Sequence, residues 1–150
     1  MKKTAVLVEG VIIDCSQIPK APKKLKITLK EHKGKEVINF HLSELKTINV
    51  SSKLKKGEGY IGLEELIKRF DRNRINRPAD ANVLNKIVGH FQYIPKKYWK
   101  GGVYLLFLDT TYLSKKGELC VRALNYAKNG WYETVLFNSD RFAYDFVVCI

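Results

Sequence analysis

The sequence predicts an α+β domain: an antiparallel β-sheet with two short helices inserted between an N-terminal hairpin and a C-terminal β-meander. Apolar residues alternate with period two in residues 25–42 and 119–137, which is typical of half-buried strands. They recur at helical spacing in residues 63–91. Because strands and helices are segregated along the chain, the pattern favours α+β over alternating βαβ units. At 150 residues, we expect residues 1–150 to form a single domain.

The first third of the chain predicts strands. Residues 4–14 are rich in valine and isoleucine and indicate one strand. Alternation in residues 25–29 and 38–42, on either side of the turn sequence EHKGK, predicts a hairpin with one buried and one basic face. Residues 43–60 have no clear period and indicate a loop or a weak edge strand.

Two helices follow. Leu63, Leu66, Ile67 and Phe70 occupy positions i, i+3, i+4 and i+7, which form one stripe of a helix. Residues 83–91 repeat the pattern, and their N-cap is predicted to be Asp80 or Asn82. We expect both helices to pack against one face or one end of the sheet.

The last third predicts the meander. The continuous apolar run 103–108 is typical of a buried central strand. The strands predicted at residues 119–126 and 131–137 flank Asn129-Gly130, a strong signal for a two-residue hairpin turn. Residues 142–150 complete the predicted sheet.

Gly57, Gly59 and Gly62 spell G-x-G-x-x-G ahead of the first helix. A dinucleotide-binding loop requires a buried strand before the first glycine and a parallel strand after the helix. Here the preceding residues are SSKLKK, and a second helix follows the first. The sequence therefore favours a turn over a nucleotide-binding loop.

Signals for catalysis and metal binding are weak. The three cysteines lie far apart and form no C-x-x-C motif, and the three histidines have no ligand spacing. The sequence predicts no cofactor and no metal, and it favours a binding protein over an enzyme. A small enzyme of unknown chemistry that uses Asp109 or Asp140 is the third hypothesis. Such a site needs Asp109, Asp140 and Asp145 to converge at one sheet end, and nothing in their spacing indicates that they do.

Charge gives the main functional expectation. The net charge is +12, and all of the excess lies in residues 1–100, because residues 101–150 are neutral. Such an imbalance favours polyanionic partners. We expect a small basic, cytoplasmic protein that engages a polyanion, nucleic acid first, with no membrane association. The alternative is a protein-interaction module, an inhibitor or accessory factor, that docks on an acidic partner protein.

The predicted nucleic-acid-binding residues combine an arginine cluster with nearby lysines. Arginine holds phosphate bidentately, which lysine does not. Trp99 beside the lysines is predicted to fill the helix-to-sheet junction instead of stacking on a base. The predicted phosphate contacts are Arg69, Arg72, Arg74, Arg77, Lys96 and Lys97.

The many aromatic residues after position 103 raise the possibility of an RNA-binding sheet face. However, no RNP-like motif is present, and this third of the chain is electrically neutral. The sequence therefore predicts that most of these rings lie in the core or in cross-strand pairs.

Residues 53–137 resemble a family of small uncharacterised bacterial proteins. The matching features are an A-N-V-L helix start at residues 81–84, an I-P junction with Trp99, a G-x-L-C-V-R strand from Gly117, and an N-G-W turn. Asp109 stands where the family pattern has glycine, and WYETVLF replaces a tryptophan-rich strand. The resemblance implies a shared fold and no established activity.

Overall fold

The computed structural model describes residues 10–71, 77–143 and 146–150, and it confirms the α+β fold class. Most strand pairs are antiparallel, and one pair is parallel. The helices are α1 (Leu63–Asp71) and α2 (Ala81–Ile87). The strands are β1 (Val11–Ile13), β2 (Ile27–His32), β3 (Phe40–Leu42), β4 (Thr47–Asn49), β5 (Tyr104–Leu106), β6 (Thr110–Ser114), β7 (Leu119–Ala127), β8 (Gly130–Phe137) and β9 (Phe146–Cys149).

The described strands form one large sheet centred on β7 and a separate two-stranded sheet, β1–β3. On one edge, β7 pairs with β8 along nearly its whole length. On its other edge, β7 pairs with β6 near its start and with β5 near its end. β2 pairs with β6, while β9 lies parallel to β5 and carries β4 outside it. The sheet therefore splits where β5 gives way to β6.

The two helices pack on opposite faces of the large sheet. α2 joins a core cluster with Leu105 and Leu124, whereas α1 joins one with Leu106 and Val121. Because successive strand residues point to opposite faces, these two clusters lie on the two sides of the sheet. The expectation that both helices share one face or end is wrong. The continuous apolar run 103–108 reflects this arrangement, since a strand covered on both sides has no polar face.

The predicted N-terminal hairpin is also wrong in its pairing, although both of its strands exist. β2 pairs with β6, and β3 pairs with β1. The intervening residues include a 3-10 helix, Lys33–Glu36, instead of a hairpin turn. The Lys33 backbone N–H donates to the backbone oxygen of Asp109. Alternation thus located the strands, but nothing in it specified their partners.

Several local predictions are confirmed. The Asp80 side chain caps α2 by accepting from the Val83 N–H at 3.2 Å. The predicted hairpin turn between β7 and β8 exists, but it lies one residue earlier than Asn129-Gly130. Its two central residues are Lys128 and Asn129, which adopt the left-handed backbone angles of a type I′ turn. Gly57 has φ of 87° and lies in a turn, not after a buried strand.

In the described part of the chain, no helix combines the length and apolar character needed to cross a membrane.

Candidate nucleic-acid interface

Arg69 in α1 forms ion pairs with two carboxylates that are close to it in the chain. Its guanidinium donates to both carboxylate oxygens of Glu58, at 2.7 and 2.9 Å, and to Glu65 at 3.1 Å. A further bond reaches the Lys53 backbone oxygen at 2.8 Å. This arginine holds the pKa of Glu58 at about 2, well below its usual range. Only 10% of the Arg69 side chain is exposed, so its donors tie α1 to the preceding turn.

Arg77 lies at the split in the sheet. Its Nε donates to Asp109 Oδ2 at 2.9 Å, and its Nη2 donates to the Lys33 backbone oxygen. The Asp109 side chain is only 6% exposed, and burial raises the pKa of its carboxyl despite the arginine. Arg77 thus links the end of β2 to the loop between β5 and β6.

Arg122 on β7 is the most buried of these cations, with 1% of its side chain exposed. Its Nη2 donates to Glu133 at 2.5 Å and to Asn85 Oδ1 at 2.6 Å. Its Nη1 donates to the Lys20 backbone oxygen at 3.2 Å and lies 3.4 Å from the Tyr112 hydroxyl. We call Arg69, Arg77 and Arg122 the arginine struts, because each joins separate segments through a carboxylate.

The predicted arginine cluster is therefore not brought together among the residues described. Arg69 and Arg77 are ion-paired in different places, and Arg72 and Arg74 lie outside the described residues. The proposal that these four contact phosphate stays a prediction.

Four exposed lysines lie near the C-terminal end of β7, where the chain turns into β8. The ring centroid of Trp99 lies 6.0 Å from that of Tyr126 and 6.3 Å from that of Trp131. These contacts place the 96–100 segment beside the turn between β7 and β8. Within the described part of the chain, none of these lysines has a carboxylate within ion-pair distance. We define the lysine end as Lys96, Lys97, Lys100 and Lys128.

The chain segments that carry the lysine end contain few carboxylates. No aspartate or glutamate occurs in residues 81–108, nor between Glu118 and Glu133. Glu133 is 8% exposed and paired with Arg122. No carboxylate paired to these lysines competes with an incoming anion, although the ammonium groups of Lys96 and Lys97 lie over the rings of Trp99 and Tyr98.

Trp99 fills the junction, as the sequence predicts. Its Nε1 donates to the Ile94 backbone oxygen at 3.1 Å, and its edges contact Tyr126 and Trp131. The Lys96 ammonium lies 3.5 Å from the centre of its ring, in cation–π geometry. The Trp99 ring therefore packs against the lysine end, and the ring face that Lys96 covers is not available to a base.

The opposite sheet face carries a cross-strand row that sequence reasoning missed. Tyr132 on β8 pairs with Asn125 on β7, Asn125 pairs with Tyr104 on β5, and Tyr104 pairs with Phe146 on β9. Directly paired residues point to the same face, so the four side chains form one line across the sheet. We call them the aromatic row. Tyr132 is 52% exposed, and the other three are half-buried.

The structure tests the carboxylates of the enzyme hypothesis in part. Asp109 lies beside a small cavity of about 170 Å³ that Asp80 and Cys15 also line. The Asp80 carboxylate accepts from Val83 and Asn82, and burial raises the pKa of the Cys15 thiol, which disfavours a thiolate nucleophile. Asp140 accepts from the Phe137 N–H in a turn, and Asp145 lies outside the described residues. Asp80 and Asp140 thus accept backbone N–H groups, and Asp109 is paired with Arg77.

No group of three or more metal-ligating side chains is arranged around a common point in the ranges that the structure describes. The chain matches no protein-family model, no curated protein and no solved structure. The resemblance to the small bacterial proteins therefore stays a prediction, and a function is inferred from the geometry of the charged and aromatic residues.

Proposed function

We propose that this protein binds a polyanion, nucleic acid first, through phosphate contacts made by the lysine end. One observation carries the proposal: four exposed ammonium groups share one end of the sheet with no carboxylate paired to them among the described residues. Phosphate contacts of this kind supply affinity without reading base sequence. In this proposal Lys96 and Lys97 are phosphate contacts, as the sequence predicts. A cytoplasmic location belongs to the same proposal, since nucleic acid is accessible there.

The arginine struts are weaker candidates for phosphate contacts. Each already donates charge-assisted hydrogen bonds to a carboxylate, and such bonds are worth about 1.5–3 kcal/mol when well formed. A phosphate would have to displace that carboxylate before gaining the same interaction. The lysines of the lysine end have no such bonds to give up.

The test is the salt dependence of binding by a matched pair of double variants. Lys97→Gln/Lys100→Gln removes two charges at the lysine end, and Lys115→Gln/Lys116→Gln removes two exposed charges at the opposite end of β7. Fluorescence anisotropy measures binding of labelled single-stranded and duplex DNA across a salt series. We expect the first variant to lower the slope of log K against log salt by about 1.5, since each phosphate contact contributes about 0.7–0.9.

Equal effects of the two double variants would show a diffuse charge effect and overturn the proposal. Absence of binding to any DNA or RNA at low salt would do the same. If the protein instead captures one acidic protein in stoichiometric amounts, and that binding depends on Lys97 and Lys100, the acidic-partner alternative replaces the nucleic-acid proposal.

A further inference from the structure

The aromatic row contains a gap between two tyrosines. Tyr104 and Tyr132 lie on β5 and β8, with β7 between them, so their backbones are two strand spacings apart, about 9.5 Å. Asn125 occupies the position between them. A base held between two rings needs about 7 Å, twice the rise of about 3.4 Å between stacked bases. This backbone spacing admits one base once the Tyr132 ring, which leans along β8 towards Gly130, stands upright beside Asn125.

The ring of Tyr104 is already oriented for stacking. It stacks on Phe146 with ring centroids 4.9 Å apart and planes 12° apart. Phe146 is in turn held by an edge contact to the buried ring of Phe142, 5.0 Å away. A ring fixed on one side presents its other face at little entropic cost. That other face of Tyr104 is on the side of Asn125.

Asn125 forms no side-chain hydrogen bond within the part of the chain that the structure describes, although it is half-buried. An asparagine amide has two donors and a carbonyl acceptor, and an asparagine in a sheet centre is usually paired. Its position at the floor of the gap offers these groups to the edge of a base.

The row adjoins the lysine end. Tyr132 Cε2 and the Tyr132 hydroxyl oxygen each lie 3.7 Å from the position that a Cβ atom on Gly130 would occupy. Tyr132 therefore lies beside the turn that carries Lys128. Of the lysine end, Lys128 is therefore beside the row, whereas Lys96, Lys97 and Lys100 are on the segment that Trp99 packs against the other sheet face. A strand that contacts these lysines and the row passes over the turn between β7 and β8. In a duplex, bases are stacked and paired, and their faces are not available to protein rings.

We infer that the preferred ligand is single-stranded nucleic acid, with one base sandwiched between Tyr104 and Tyr132 over Asn125. This inference rests on the proposed function, because the lysine end holds the phosphates of the strand that reaches the row around the turn between β7 and β8. Stacking of this kind tolerates every base, while the amide of Asn125 adds a modest preference.

The experiment compares three probes of equal phosphate count: single-stranded oligothymidylate, a DNA duplex and inorganic polyphosphate. Each is titrated with the native protein, Tyr132→Leu, Tyr132→Phe and Asn125→Ala. Tyr132 is exposed, so its substitution leaves the core intact, and thermal unfolding verifies this. We expect Tyr132→Leu to weaken binding of the single strand about tenfold, the scale of a lost base–ring stack. Tyr132→Phe keeps the affinity.

Salt separates stacking from phosphate contact. Tyr132→Leu is expected to leave the salt slope unchanged and to leave polyphosphate binding unchanged, because neither depends on a ring. Equal affinity of native protein for single strand and duplex, or no loss in Tyr132→Leu, overturns the inference while the lysine-end proposal survives. Failure of all three probes to bind at low salt overturns both.

Discussion

Two groups of cations in this protein have contrasting surroundings: the arginine struts and the lysine end. The arginine struts donate to Glu58, Asp109 and Glu133, and among them only Arg77 has an exposed side chain. The lysine end is exposed and has no such partner in the described ranges. The difference teaches that a net charge of +12 says little until each cation is placed. Charge that is neutralised inside the fold contributes stability, and only unpaired charge is available to a ligand.

The largest expected effect comes from breaking the most buried strut. Arg122→Met leaves the Glu133 carboxylate buried without a partner, and removal of one member of a buried pair typically costs about 3–5 kcal/mol. Urea unfolding measures this loss. The double variant Arg122→Met/Glu133→Leu is the control, and we expect it to recover much of the stability because no charge remains buried. A loss below about 1 kcal/mol in the single variant would contradict the structural role.

A smaller effect is expected at Arg69, which the sequence places among the phosphate contacts. Arg69→Gln removes three bonds to partly exposed carboxylates and one to a backbone oxygen, and we expect a loss of about 1–2 kcal/mol after solvent screening. Nucleic-acid affinity should stay within twofold of the native value in the same buffer. Loss of affinity with unchanged stability would make Arg69 a ligand contact and erase the distinction between struts and lysine end.

The smallest effect is a pH dependence. Because the pKa of Glu58 lies at about 2 in the folded protein and at 4.5 ordinarily, its contribution to stability is complete above pH 4.5 and is lost as the pH falls towards 2. Burial shifts the pKa of Asp109 in the opposite direction, so the difference between native protein and Glu58→Gln isolates the Glu58 contribution. Denaturant unfolding across this range should show the two curves converging at low pH. Parallel curves would contradict the Arg69–Glu58 pairing.

Local features of this fold were readable from the sequence, and non-local ones were not. The cap at Asp80, the hairpin turn between β7 and β8 and the amphipathic stripe of α1 depend on residues close in the chain, although the turn lies one residue before its predicted position. The partners of β2 and β3 depend on contacts with β6 and β1, which alternation does not encode. Period-two patterning fixes which residues share a face but leaves the choice of neighbouring strand open.

The candidate site follows the same rule. The turn at Lys128-Asn129 sets the register that pairs Asn125 with Tyr132, whereas a turn at Asn129-Gly130 pairs Asn125 with Thr134, so the predicted turn gives the hairpin but not this pair. Tyr104 and Phe146 enter the row only through pairing between strands that are distant in the chain. Likewise, the acid-free stretch 81–108 was visible, but its approach to Lys128 depends on contacts of Trp99 with β7 and β8.

The most direct test of the division between the two kinds of cation is a lysine-acetylation footprint of the native protein, read by mass spectrometry with and without single-stranded oligothymidylate. We expect the ligand to slow acetylation of Lys96, Lys97, Lys100 and Lys128 while Lys115 and Lys116 react as before. Slowing that is equal at both ends of β7, or that spares the lysine end, would contradict the account.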